Sequence, residues 1–123
     1  MSLEKSGIMT LMKGGTMYDQ RDIVLIPFPY SDLTGSKLRP ALIISNLKLN
    51  RTEDRICCLI TSNKTEQGIE LISLEEGKLP FKSWVKPYRL FTIHEKIIRK
   101  KLGKITKLLH KQILASLNEY LSL

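Results

Sequence analysis

Short apolar runs rich in β-branched residues recur through the middle of this 123-residue chain. Each is closed off by proline, glycine or a polar cluster, and that rhythm commits the chain to a sheet of many short strands. Asp22 to Phe28 (DIVLIPF) is apolar without alternation and ends at Pro27 and Pro29, which predicts a strand buried on both faces that runs into a loop. Tyr30 to Leu38 (YSDLTGSKL) has the composition of a turn or surface loop. Pro40 to Ser45 (PALIIS) and Arg55 to Thr61 (RICCLIT) read as antiparallel neighbours separated by the polar stretch Asn46 to Asp54. Glu70 to Leu74, Trp84 to Ile93 and Ile97 to Ile105 around Gly103 supply further strands, with Pro87 marking an edge or a bulge. Only the last eighteen residues change period. Leu108, Leu109, Ile113, Leu117, Tyr120 and Leu121 recur at three and four, so an amphipathic helix with Thr106 as its N-cap is predicted to lid a small barrel.

The length suits one core, so residues 18–123 are read as a single domain and residues 1–17, which lack any apolar period, as a loosely ordered leader. Ile23 to Pro29 and Ala41 to Ile44, the longest apolar runs, fall far short of the roughly 20 residues that cross a bilayer, so no membrane role is expected. The first seventeen residues lack the pattern of a secretion signal, and Cys57 and Cys58, being adjacent in a strand, point to opposite faces. Both read as buried thiols in a reducing, cytoplasmic setting. Twenty Lys and Arg against twelve Asp and Glu give a formal net charge of +8. From Lys96 to Asn118 seven cations occur without one acid. Such a run is either a solvated face or a surface for a polyanion, and charge alone does not say which. Lysine in the first turn of the C-terminal helix opposes the helix dipole at about 0.3–1 kcal/mol, which favours the second reading.

The pairs Glu53–Asp54 and Glu75–Glu76 lack a histidine or third carboxylate at ligand spacing, so neither a metal nor another cofactor is expected. His94 and His110 have the titration range for acid and base work, but nothing in the sequence brings them together. No nucleophile elbow, phosphate-binding loop or dinucleotide fingerprint is present.

DIVLIPFPYSDLTGSKLRPALIIS (Asp22 to Ser45), followed by CCLITSN (Cys57 to Asn63), resembles the MazF/PemK family of toxins. The likeness lies in a DIV-type first strand, a proline and aromatic turn, a polar loop and an Arg-Pro that opens an apolar strand. SWVKPYRLFTI, IIRKKLGKIT and the terminal helix continue it, so it covers about Tyr18 to Leu121. The resemblance implies a mainly β, α+β fold with a small SH3-like barrel, a homodimer, and metal-independent cleavage of single-stranded RNA restrained by a cognate antitoxin. It places the family's active-site arginine on Arg39 and its partner threonine on Thr61. A guanidinium fork suits the charge that builds on phosphorus, and a threonine hydroxyl can donate to the same oxygen. Tyr30, Lys37, Ser62, Lys64 and Trp84 are the candidate substrate contacts, the aromatic ones by stacking on bases. Two departures stand out: Arg21 occupies a position that is commonly glycine, and the first loop carries only Asp32 where many relatives have a glutamate. No carboxylate base is therefore assigned. Two other readings share the fold, namely a gyrase-poisoning toxin of the CcdB type and an RNA-binding barrel without catalysis.

Overall fold

A computed structural model describes residues 18–29 and 36–123; Tyr30, Asp32 and the proposed leader lie outside the described residues. Numbered in chain order, the strands are β1 (Asp22–Pro29), β2 (Ser36–Ile43), β3 (Asp54–Thr61), β4 (Ile69–Glu70), β5 (Leu74–Gly77), β6 (Trp84–His94) and β7 (Lys100–Ile105). Two helices, α1 (Leu47–Asn50) and α2 (Lys107–Leu121), and a 3-10 turn over Glu95–Ile97 make up the other elements of the described residues. The strands form one antiparallel sheet in the order β4-β6-β3-β2-β1-β7-β5, curled into an SH3-like half-barrel.

The curl gives the sheet two apolar faces, which is why β1 reads as a continuous apolar run. Ile23, Leu42, Cys58, Ile60 and Val85 turn to one side and pack with Ile105 under Leu109 and Ile113 of α2. Val24, Ile26, Ala41, Ile43 and Cys57 turn to the other, against Ile93 and Ile98. Each wholly buried aliphatic side chain contributes roughly 1.5–3 kcal/mol, so the adjacent pairs Ile23–Val24 and Leu42–Ile43 stabilise both layers at once. The neighbouring thiols follow the same rule. Cys57 and Cys58 are buried and free, and burial pushes each thiol up to about 12.

Several expectations are revised. Ser36 to Leu38, read as loop, already belong to β2. Glu70 to Leu74, read as one strand, is split between β4 and β5 at the two edges of the sheet. The chain leaves β4 where Leu71 N donates to Ser83 O and Ile72 turns out to solvent. Pro87 marks a bulge in an inner strand, since β6 pairs Lys86 with Leu59 but Leu90 with Cys58. In α2, Thr106 Oγ1 caps Leu109 N at 3.2 Å as expected. Leu109 and Ile113 are buried and Leu117 is partly so, whereas Leu108 and Leu121 of the expected stripe are exposed.

Arg21 holds a left-handed φ of 80° just before β1. A side chain there costs on the order of 1–2 kcal/mol, which glycine would avoid. Arginine offsets this by donating from Nη1 to Ile105 O at 2.8 Å and to Glu75 Oε1 at 2.9 Å, which ties the start of β1 to β7 and β5.

Burial at the start of α2 lowers the pKa of His110, and the Arg21 charge adds to the effect against a hydrogen bond with the Ile44 carbonyl. The folded chain therefore takes up this proton less readily than the unfolded chain does. The neutral imidazole's contribution is complete above the ordinary pKa of 6.5 and is lost as pH falls from there toward the depressed folded value. Urea midpoints at pH 7.5 and 5.5 should differ less in His110→Gln than in the wild type; equal differences in the two proteins would refute this.

Candidate functional site

The predicted site residues meet through strand register. Ile26 of β1 lies opposite Arg39 of β2. The β2–β3 ladder ends at the pair Ala41–Leu59, and alternation along each strand puts Arg39 on the face of Ala41 and Thr61 on that of Leu59. Thr61 in turn lies opposite Trp84 of β6, and Trp84 opposite Glu70 of β4. Opposed residues project from the same face, and adjacent strands lie about 4.8 Å apart. Arg39 and Thr61 therefore lie on one face, each two residues beyond the last paired rung, with Trp84 directly across from Thr61. Pro40 has no N–H to give the ladder, which accords with its ending at Ala41 and leaving Arg39 at an opened margin of the sheet.

This row occupies the open end of the face whose deeper part is packed by Ala41, Ile43 and Cys57. Arg39, Thr61 and Trp84 are each half-buried. Thr61 Oγ1 accepts from Asn63 N at 3.1 Å, so its own hydrogen remains to donate. Lys37 lies opposite Phe28, two residues from Arg39 on the same face, and is exposed. Ser62 and Lys64 are exposed in the loop that leaves Thr61. Of the candidate contacts, Tyr30 alone lies outside the described residues.

A family model described as PemK-like, MazF-like toxin of type II toxin–antitoxin system matches residues 19–121. The chain belongs to this family. MazF/PemK toxins are endoribonucleases, which favours the nuclease reading over a gyrase poison. Among curated proteins none matches the sequence. Solved structures share the fold. An endoribonuclease in complex with its cognate antitoxin from a mycobacterial species is 19% identical with a TM-score of 0.70, over 85% of this chain and 94% of that one. MazF in a MazE–MazF complex from Deinococcus radiodurans is 20% identical at 0.66, over 85% and 95%. The Mycobacterium tuberculosis toxin MazF-mt6 is 15% identical at 0.67, over 82% and 96%.

The sequence reading of this MazF/PemK toxin passed over Lys86. It lies opposite Leu59, two residues from Trp84, and so shares the Arg39 face. It is half-buried and forms no ion pair among the described residues. The signal was hidden because the Pro87 bulge breaks the alternation from which its face would be read. The histidines sit elsewhere. His94 lies opposite Asp54, at the far end of β3 from Thr61, about 23 Å away at 3.3 Å per residue. Its Nδ1 accepts from Lys96 N at 3.0 Å and its Nε2 lies 3.3 Å from Glu53, which makes it a cap for the 3-10 turn. No group of three or more His, Cys, Asp or Glu among the described residues is placed to hold a metal ion, and no helix among them is long and apolar enough to cross a membrane.

Proposed function

We propose that this toxin cleaves single-stranded RNA in the cytoplasm by attack of a ribose 2′-hydroxyl on the adjacent phosphate, without a metal, at Arg39 and Thr61. The observation that supports this is that strand alternation from Ala41 and Leu59 puts Arg39 and Thr61 on the same face as Trp84 and Lys86. In the reaction the 2′-oxygen loses its proton and bonds to phosphorus, the bond from phosphorus to the 5′-oxygen breaks, and that oxygen takes up a proton. Negative charge builds on the non-bridging oxygens. The Arg39 fork meets two of them, and the Thr61 hydroxyl donates to one. Arginine, which keeps its proton in proteins, acts by charge and by proton donation to the leaving oxygen rather than as a base. Lys37, Lys64 and Lys86 draw the neighbouring phosphates, Ser62 donates to the strand, and Tyr30 and Trp84 stack on bases.

The toxin acts as a homodimer checked by a cognate antitoxin. Tyr88 and Tyr120 meet edge to face with centroids 5.5 Å apart, and with Leu90 they leave an apolar area at solvent that a second copy would cover. The net charge of +8 favours an acidic antitoxin segment that folds onto the basic surface. Sedimentation of the toxin alone at micromolar concentration checks the first point, since only monomer would exclude it. The salt dependence of antitoxin binding checks the second.

Incubation with single-stranded RNA in excess EDTA tests the reaction. Cleavage should persist and leave 2′,3′-cyclic phosphate or 3′-phosphate ends opposite 5′-hydroxyl ends. Activity abolished by EDTA, or 5′-phosphate products, would defeat the mechanism. RNA that is bound but never cut would favour a binding barrel.

A further inference from the structure

Phe81, in the loop between β5 and β6, stands 71% exposed, an unusual place for a large aromatic side chain. The loop around it is held. Leu79 packs against the core beneath α2, Pro80 follows it, and the buried Ser83 donates from Oγ to Phe81 O at 2.9 Å. Ser83 O then accepts from Leu71 N at 2.9 Å. The ring is therefore presented to solvent by a backbone fixed on both sides.

Its position is set by the site. Thr61 and Trp84 are paired antiparallel, so the chain after Thr61 and the chain before Trp84 leave the sheet at the same end. Phe81 is three residues from Trp84 and Lys64 three from Thr61, each within about 11 Å of that pair at full extension. Lys78 and Lys82 flank the ring and are exposed. Among the acids of the neighbouring segments, Glu75 pairs with Arg21 at 2.9 Å and Glu76 with Lys101 at 2.8 Å, Glu70 faces Lys82 at 3.8 Å, and Glu66 is exposed in the loop after Thr61. An exposed ring between lysines, next to a phosphate-handling face, matches the way single-stranded nucleic acid is held, with bases on aromatic surfaces and phosphates on cations.

We propose that Phe81 stacks on a base of the single-stranded RNA beside the nucleotide handled at Arg39 and Thr61, an inference that rests on the RNA reading of that site. Stacking needs a flat ring and a base, and both can be removed separately.

The test is binding by fluorescence anisotropy of a mixed-sequence 2′-O-methyl strand, which cannot be cleaved, and of an abasic strand of equal length. Phe81→Ala and Phe81→Ile should bind the first strand roughly 5- to 100-fold more weakly than wild type, and Phe81→Tyr about as well. On the abasic strand all four proteins should bind alike. Wild-type affinity in Phe81→Ala would overturn the proposal, and so would full recovery in Phe81→Ile, which would indicate plain apolar contact. Unchanged RNA binding with loss of the dimer in sedimentation, or of antitoxin binding, would overturn it by assigning the ring to a protein surface. Cleavage of an all-ribose strand by wild type separates the two levels. If wild type binds the strand but never cuts it, the nuclease reading fails and stacking is still judged by the variants. If wild type cuts and Phe81→Ala binds normally, stacking alone fails.

Discussion

Arg39→Lys is expected to lower RNA cleavage by roughly 100-fold or more while leaving affinity for an uncleavable strand within a few-fold of wild type. The two side chains carry the same charge, so the electrostatic pull on the substrate persists. They differ in geometry. Guanidinium offers a planar fork that can reach two phosphate oxygens together, whereas ammonium is a compact point charge that meets one at a time. The loss should therefore appear in the transition state more than in binding. Thr61→Ala removes one donor from the same oxygens, and a single such donor elsewhere accounts for on the order of 100-fold in rate. Because the two groups face the same charge, the double variant should lose less than the product of the single losses. Cleavage of a labelled single-stranded RNA under single-turnover conditions, beside the binding measurement, reads both effects. An Arg39→Lys protein as fast as wild type would remove Arg39 from the reaction.

The strands of this toxin were legible in the sequence where burial on both faces left unbroken apolar runs, as in Ile23 to Ile26 and Ala41 to Ile44. The C-terminal helix was legible because its period changes at a threonine cap. Glu70 to Leu74 was misread because the segment is apolar enough for a strand, yet the hydrogen bond from Leu71 N to Ser83 O turns the chain from one edge of the sheet to the other. That partner lies twelve residues away and leaves no local trace. The site divides in the same way. Arg39 and Thr61 were named from the family pattern, but the face they share follows from the pairing of Ala41 with Leu59. Lys86 stayed hidden behind the Pro87 bulge, and nothing in the sequence singles out Phe81, whose exposure and held backbone only the structure shows. Arg21 runs the other way: its departure from glycine was visible in sequence, and only the structure shows the two hydrogen bonds that compensate its positive φ.

The largest stability effect should come from Arg55, a fully buried side chain at the start of β3 that no motif singles out. Only 1% of it is exposed. Its Nε donates to Tyr18 O at 3.0 Å, and its Nη1 to Thr52 O at 2.7 Å and Asp54 O at 2.8 Å. Nη2 lies 3.4 Å from Glu95 Oε1. One guanidinium thus gathers the segment before β1, the turn before β3 and the 3-10 turn after β6. Arg55→Leu fills much of the volume but leaves three carbonyls without that donor, each worth about 1 kcal/mol or more when stranded. A loss of roughly 3 kcal/mol, and a fall in Tm of about 10 °C or more, is expected. The carbonyls, rather than the ion pair, should dominate. Glu95 is partly open to water, so Glu95→Gln should cost under about 1 kcal/mol. Denaturant unfolding of both variants separates these contributions. If Glu95→Gln proved as costly as Arg55→Leu, the ion pair would be the main fastening; if Arg55→Leu left the unfolding midpoint unchanged, the buried guanidinium would have no part in holding these segments.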